Sequence, residues 1–380
     1  MKKKLLIFSS IGLLVILSAI VFWRLLLSKP LPIPKVDLRP IEQDLNPQGS
    51  GQISKEKARE IAGNIIKWLD SMKNEKGQYF SNQICSANSS CQNPTTVDKQ
   101  RGIIVAWARF RNYLNSKEES ELKMLDNDLT TLTTPLIGSP AQNDYLNCTL
   151  MYELYQSSVF IPEQKNKIFS ICNDSIFYGK DMNNYNENAA SNQSYNLEPP
   201  IESFLQGKGI NTGLKPNPRE MVKYSSYVAD LATIYLWTKE AKALTIAKYY
   251  FNLALQLYSE KSENLDDSLL DLASMKMFEA TGEEKYLDFN SFLFDQKINS
   301  LKCSNVDYCV NYLYFLDSYY QNFKGDEAIR IEKEKIINSL IARYYDSQKK
   351  LLFNLNQNET KYYPVAQNSI FSGILNNFGE

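Results

Sequence analysis

The 380-residue chain carries 42 Lys and Arg against 43 Asp and Glu, so no global field draws it to nucleic acid. Histidine is absent altogether, which excludes Ser-His-Asp triads, Cys-His pairs, imidazole-ligated zinc and histidine proton shuttles. Acid–base chemistry is left to Asp, Glu, Tyr, Lys or Cys, and neither a cofactor nor a metal is expected.

Residues 1–4 are a basic tip, with Lys2 to Lys4 ahead of an apolar run from Leu5 to Trp23. At about 1.5 Å per residue this run approaches the roughly 30 Å hydrocarbon thickness, and Leu25 to Leu27 extend it if Arg24 snorkels. The expectation is a signal-anchor over residues 5–27 in the lipid bilayer, with a cytoplasmic N-terminus and everything after about residue 28 outside. A cleavable signal peptide is the rival, although Ser18-Ala19-Ile20 followed by Val21-Phe22-Trp23 is a poor cleavage context. Residues 28–53 hold five prolines and then Gly49-Ser50-Gly51, an extended stalk.

From 54 to 380 helical periodicity dominates. Twelve helices are predicted, at about 54–74, 98–115, 117–132, 143–157, 162–172, 219–237, 240–258, 266–280, 283–299, 307–323, 326–345 and 366–378. In the second, Ile103, Trp107, Phe110 and Leu114 form one stripe while Arg109 and Arg111 point elsewhere. Short strand-like pieces follow the first and eleventh helices, Gly77 to Phe80 and Leu351 to Asn354, and suit rim hairpins.

Links from even to odd helices are tight, as at Asn115-Ser116, Thr238-Lys239 and Thr281-Gly282. Links from odd to even helices are mostly longer: 75–97, 133–142, 173–218, 259–265, 300–306 and 346–365. Antiparallel neighbours alternate direction, so all long links emerge at one end, where function tends to sit. The link 173–218 reads either as a flap or as a surface loop.

Six cysteines outside the membrane read as disulfides rather than a four-cysteine metal site, which prefers tighter spacing. The expected pairs are Cys85/Cys91, Cys148/Cys172 and Cys303/Cys309. The middle pair joins the start of the fourth helix to the end of the fifth, ends that antiparallel packing brings together. Sequons at Asn88-Ser89-Ser90 and Asn147-Cys148-Thr149 do not by themselves establish glycosylation.

The stretch Asp266-Asp267-Ser268-Leu269-Leu270-Asp271-Leu272-Ala273, continuing through Ala280-Thr281-Gly282-Glu283-Glu284-Lys285-Tyr286-Leu287, resembles a hairpin of six-hairpin glycosidases, family 9 glycoside hydrolases among them. Trp68-Leu69 to Gly77-Gln78-Tyr79 is similar to their first hairpin. The resemblance implies an all-α (α/α)6 toroid, with even helices inside and their N-terminal ends around a cleft. Carbohydrate, here a cell-envelope glycan, is the ligand class it implies. No complete catalytic motif of any one such family aligns onto the chain.

In that arrangement Asp98, Asp144, Glu220, Asp266, Asp267 and Asp307 stand at starts of even helices. Converging carboxylates supply the acid and base of inverting glycoside hydrolysis. Asp98 with Asp266 or Asp267 is the first choice, because the second and eighth helices face each other across a six-hairpin ring. Helix capping and the helix dipole are the stronger explanation for any single one of these acids taken alone. Tyr145 and Tyr224, near helix starts, are candidates to stack on sugar, and Asp144 and Asp307 to bind it. Trp68, Tyr79 and Tyr227 are further stacking candidates, while Trp107 and Trp237 read as core. Arg101 suits an anionic sugar or an ion pair with Asp98. The runner-up function is a non-catalytic helical scaffold binding a glycan, peptide or protein.

Overall fold

The computed structural model describes residues 53–85, 91–92, 99–133, 146–177, 201–206, 216–260, 266–300, 305–322, 327–355 and 361–378. Residues 1–35 divide from 36–380 as a separate unit and lie outside the described set. The expected span 5–27 therefore lies outside it too. Among the described residues no helix is long and apolar enough to cross a membrane.

The helices used below are α1 (Lys55–Ser71), α2 (Lys99–Ser116), α3 (Glu119–Thr133), α4 (Asn147–Gln156), α5 (Pro162–Phe177) and α6 (Met221–Thr238). They continue as α7 (Ala241–Ser259), α8 (Leu270–Thr281), α9 (Glu284–Ser300), α10 (Val306–Asn322), α11 (Glu327–Tyr344) and α12 (Val365–Leu375). Local signals explain the first. Ser54 caps α1 by accepting from the Lys57 N–H, and Ala58, Ile61, Ala62, Ile65, Ile66 and Leu69 bury one helical face.

The even helices touch in succession, α2 to α4, α6, α8, α10 and α12, and α12 returns to pack on α2 and α1. Each odd helix lies against the even helix it is joined to. The result is a closed ring of six hairpins, with the even helices inside. An inner helix is enclosed on all sides, so its apolar character runs all round. In α8, Leu270 to Met275, Met277 and Phe278 are all buried.

That enclosure extends to the two arginines of α2 that lie off the apolar stripe: Arg109 and Arg111 are 0% and 4% exposed. Arg109 pairs with Asp70, Glu121 and Asp128, and Arg111 with Glu153 and Asp317. Burial of such charges is tolerated only because each is paired. Trp107 fills the ring interior, edge-on to Tyr314 at 5.5 Å, and Gly373 of α12 makes room for it. A Cβ at Gly373 would stand 2.3 Å from the indole.

Closure is reinforced by a sheet. Strands β1 (Asn82–Cys85), β2 (Cys91–Gln92), β5 (Asn354–Leu355) and β6 (Lys361–Pro364) form an antiparallel sheet in the order β2-β1-β6-β5. Gln83 pairs with Tyr363 and Cys85 with Lys361, tying the segment after α1 to the segment before α12. A second pair, β3 (Tyr345–Asp346) and β4 (Leu351–Leu352), follows α11. The expected strand at Gly77 to Phe80 is instead a turn that ends in bridge residues Tyr79 and Phe80, the former paired with Lys73. Asn74 accepts from the Lys76 and Gln78 N–H groups and Gly77 takes φ +74°, so the strand starts only at Asn82.

Three tight links share one construction. Lys117, Lys239 and Gly282 are left-handed, with φ of 58°, 60° and 71°. Each donates its N–H to the carbonyl four residues back at 2.8 Å, and the next residue's N–H bonds the hydroxyl of Ser116, Thr238 or Thr281 at 3.2 Å.

Disulfides join Cys85 to Cys91 and Cys148 to Cys172. Cys309 is also disulfide-bonded, while Cys303 lies outside the described residues. The expected loop 173–218 is not wholly unstructured: α5 continues to Phe177, and Ile201–Leu205 is a short helix whose Phe204 packs on Tyr258, Phe289 and Phe292. Asn147 is fully buried, so its sequon is inaccessible in the folded chain.

Candidate functional site

The starts of α2, α8 and α10 and the strand leading into α12 gather at one end of the ring. Helix α8 begins at Leu270, later than periodicity suggests, because Asp266 accepts from the Ser268 N–H and shapes a turn first. Asp266 and Asp267 therefore sit in that turn rather than in the helix. Asn305 bonds the Tyr308 N–H at 2.8 Å and so caps α10, which leaves the Asp307 carboxyl free of capping duty.

Asp267 is held from two sides. The Tyr308 hydroxyl donates to its Oδ1 at 2.9 Å, and Lys297 Nζ stands 3.7 Å from the same oxygen. Lys297 reaches in from the outer helix α9 and also donates to the Asp267 carbonyl at 2.9 Å. It makes a close ion pair with Asp271, which lies in the first turn of α8 and is fully buried. The Tyr308 and Tyr312 rings flank its ammonium at 6.0 and 5.2 Å. Burial disfavours the Lys297 charge, but Asp271 and Asp267 outweigh it and hold its pKa above the usual lysine value. Burial pushes the Asp271 carboxyl up to about 6, against the pull of Lys297. Beneath this pair, Asp271 Oδ1 and the Tyr312 hydroxyl are buried without a hydrogen-bond partner.

Asp307 has a different environment. Burial and then the Asp266 carboxylate push its pKa above the usual aspartate value, and Arg101 pulls back only in part. Tyr362 of β6 feels the same carboxylate and bonds Asn354, so the closing sheet borders this group. Burial and Asp267 push the Tyr258 phenol up to about 12. The site thus holds a carboxyl biased toward its protonated form beside a carboxylate bonded by a phenol and faced by an ammonium.

Arg101, Asp266, Asp267 and Asp307 are therefore brought together. Asp98, Asp144 and Tyr145 lie outside the described residues. Tyr224 is not an open stacking platform. It is 8% exposed, its hydroxyl donates to Glu220, and its ring stacks on Tyr250. Tyr79 is buried and bonds Asp128, and Tyr227 packs against Tyr250. Trp68 is part-buried and bonds Gln83, while Trp237 packs among Tyr152, Tyr155 and Phe169. Sequence reasoning missed Lys297, Asp271, Tyr308 and Tyr362. Asp271 was within reach, because it stands in the same acidic stretch as Asp266 and Asp267, four residues after the latter. Among the described residues no three Cys, Asp or Glu side chains gather closely enough to hold a metal ion.

No family model matches the sequence, and no curated protein matches it at significant similarity. Solved structures do match in fold. An unsaturated glucuronyl hydrolase from Streptococcus agalactiae superposes with a TM-score of 0.55 at 10% identity, over 92% of this chain and 98% of that one. The Lin0763 protein from Listeria innocua gives 0.52 at 12%, over 84% and 96%. An inactive α-1,6-mannanase variant of Salegentibacter sp., bound to α-1,6-mannotetrose, gives 0.51 at 12%, over 84% and 98%. The likeness is one of fold: a six-hairpin (α/α)6 toroid, which the ring contacts show independently.

Proposed function

We propose that this protein is a glycan-active enzyme that hydrolyses a glycosidic bond at the end of the ring where the inner helices begin. Asp307, biased toward its protonated form, donates a proton to the leaving glycosidic oxygen. Asp267, oriented by the Tyr308 hydroxyl and Lys297, takes a proton from the attacking water. That division of labour makes the hydrolysis inverting. The single observation that carries the reading is this contrast between two neighbouring carboxyl environments.

The neighbours support the ligand class. One is a glucuronyl hydrolase, and the mannanase is inactive with two consecutive aspartates changed to alanine. Asp266-Asp267 is such a consecutive pair here. Ring closure leaves no open superhelical surface, which speaks against the scaffold alternative. Asp98 remains a candidate participant from its place one residue before α2.

The test is release of reducing sugar by the full chain from a panel of neutral and uronic-acid oligosaccharides. Asp267→Asn and Asp307→Asn should each lower kcat by about 10²–10⁴ with little change in melting. Retained turnover in both variants rejects the assignment. Proton NMR of the first-formed anomer reports inversion. We also propose that residues 5–27 tether the enzyme and that the domain lies outside the cytoplasm, where its disulfides persist. Protease accessibility in intact cells tests the placement, and the mass of the mature chain separates anchor from cleaved signal.

A further inference from the structure

The opposite end of the ring holds a cavity of about 410 Å³ lined by Arg111, Leu114, Asn115, Glu153, Tyr320, Gln321 and Asn377. These residues come from the last turns of α2, α4 and α10 and from the turn after α12. Trp107 and Tyr314 lie deeper, edge to face, and Arg111 spreads over the indole at 5.2 Å. This cavity therefore belongs to the back of the ring, not to the carboxylate cluster at the front.

Its chemistry differs from the front as well. Arg111 pairs with Glu153 and, at 3.5 Å, with Asp317, whose other oxygen meets Lys333 at 2.6 Å. One lining cation, Arg111, is balanced by one lining anion, Glu153, and the Asp317–Lys333 pair behind them is balanced too, so the wall favours neither an anionic nor a cationic ligand. Asn115 is already engaged, accepting from Arg59 and donating to the Asn376 carbonyl, both at 2.9 Å. The Gln321 and Asn377 amides carry no such duty, and Tyr320 offers a ring and a hydroxyl. Glu153, 29% exposed, keeps acceptor capacity at the cavity while Trp107 bonds its Oε2 at 2.7 Å. Helix ends also present unpaired carbonyls, acceptors for hydroxyl donors. Free amides, an aromatic ring, acceptor-rich walls, no net charge and a volume within the range of small-ligand sites suit one class of guest.

We propose that this back cavity binds a neutral mono- or disaccharide, independently of the hydrolytic reading. The test is saturation-transfer NMR on the full chain with glucose, mannose, N-acetylglucosamine, maltose and cellobiose, read alongside tryptophan emission. At least one sugar should receive saturation and shift the emission, since Trp107 is bonded to a lining residue. Its affinity should fall at least tenfold in a Gln321→Ala/Asn377→Ala double variant, and in Gln321→Trp, which fills the mouth, with melting unchanged. Asp267→Asn should bind it as the parent does. Saturation of none of the five sugars overturns the proposal. So does binding that survives the back-cavity variants or is lost in Asp267→Asn, and neither result bears on turnover at the front.

Discussion

Among the described residues, Asp266, Asp267, Asp271 and Asp307 at the end where the inner helices begin are faced by Lys297 and Arg101; at the end where they stop, Arg111 and Lys333 match Glu153 and Asp317 one for one. Among the described residues the front carries an excess of buried or half-buried carboxyls over cations, an arrangement that works against folding. The back is neutral and closed by short links. Perturbed carboxyls beside specific partners are what acid–base chemistry needs, whereas a balanced network serves packing and neutral recognition. One scaffold thus carries two ends with opposite electrostatic logic.

The largest expected effect separates the ends by deletion of one cation at each. Lys297→Met strands the fully buried Asp271 and should cost about 3–5 kcal/mol in urea unfolding. Arg111→Met should cost less, because Trp107 still bonds Glu153 and Lys333 still pairs with Asp317. Equal losses would erase the contrast. Of the two, only Lys297→Met should also impair turnover under conditions where both variants stay folded.

Acidity offers the next test. Asp271 has a folded pKa near 6 against 3.8 for the free side chain, so the folded state binds the extra proton between those values. Its contribution is greatest below about pH 4 and is lost as pH rises through about 6, on the order of 3 kcal/mol in all. Urea midpoints across that window should fall relative to Asp271→Asn, which lacks the group. Parallel pH profiles for the two proteins would refute the assignment. No comparable titration is expected to follow from Gly373→Ala at the ring centre. There the new methyl drives into Trp107, with a loss of about 1–3 kcal/mol and a shift in tryptophan emission.

The smallest effect lies in the links of the back end. Lys239→Gly relieves left-handed strain but frees the unfolded chain, a net gain of roughly 0.5 kcal/mol. The gain is trimmed because the Lys239 ammonium rests 5.4 Å from the Tyr235 ring centre. A precise melting comparison with Gly282→Ala, which should lose stability, checks the sign.

Much of the ring is legible in the sequence. Twelve helices follow from periodicity, and their alternating short and long links separate the two ends. Cys148 and Cys172 pair as the antiparallel geometry of α4 and α5 requires. The hydroxyl–turn–Glu signature repeats at Ser116-Lys117-Glu118, Thr238-Lys239-Glu240 and Thr281-Gly282-Glu283, masked in the sequence only by the unlikeness of Lys and Gly at the left-handed position. The closing sheet was not foreseen. β6 is four residues long, and its partner β1 lies almost 280 positions earlier.

The amino-acid order alone determined which stretches coil, where they turn and which loops share an end, since these depend on residues within a few positions of one another. Which charges become buried, and with whom, was decided only on folding. Arg109 and Arg111 look like surface residues until neighbouring helices enclose them, and Lys297 becomes a support for Asp267 only when α9 lies against α8. Periodicity is a local property of the chain, but the solvation of a polar group depends on every segment that packs against it.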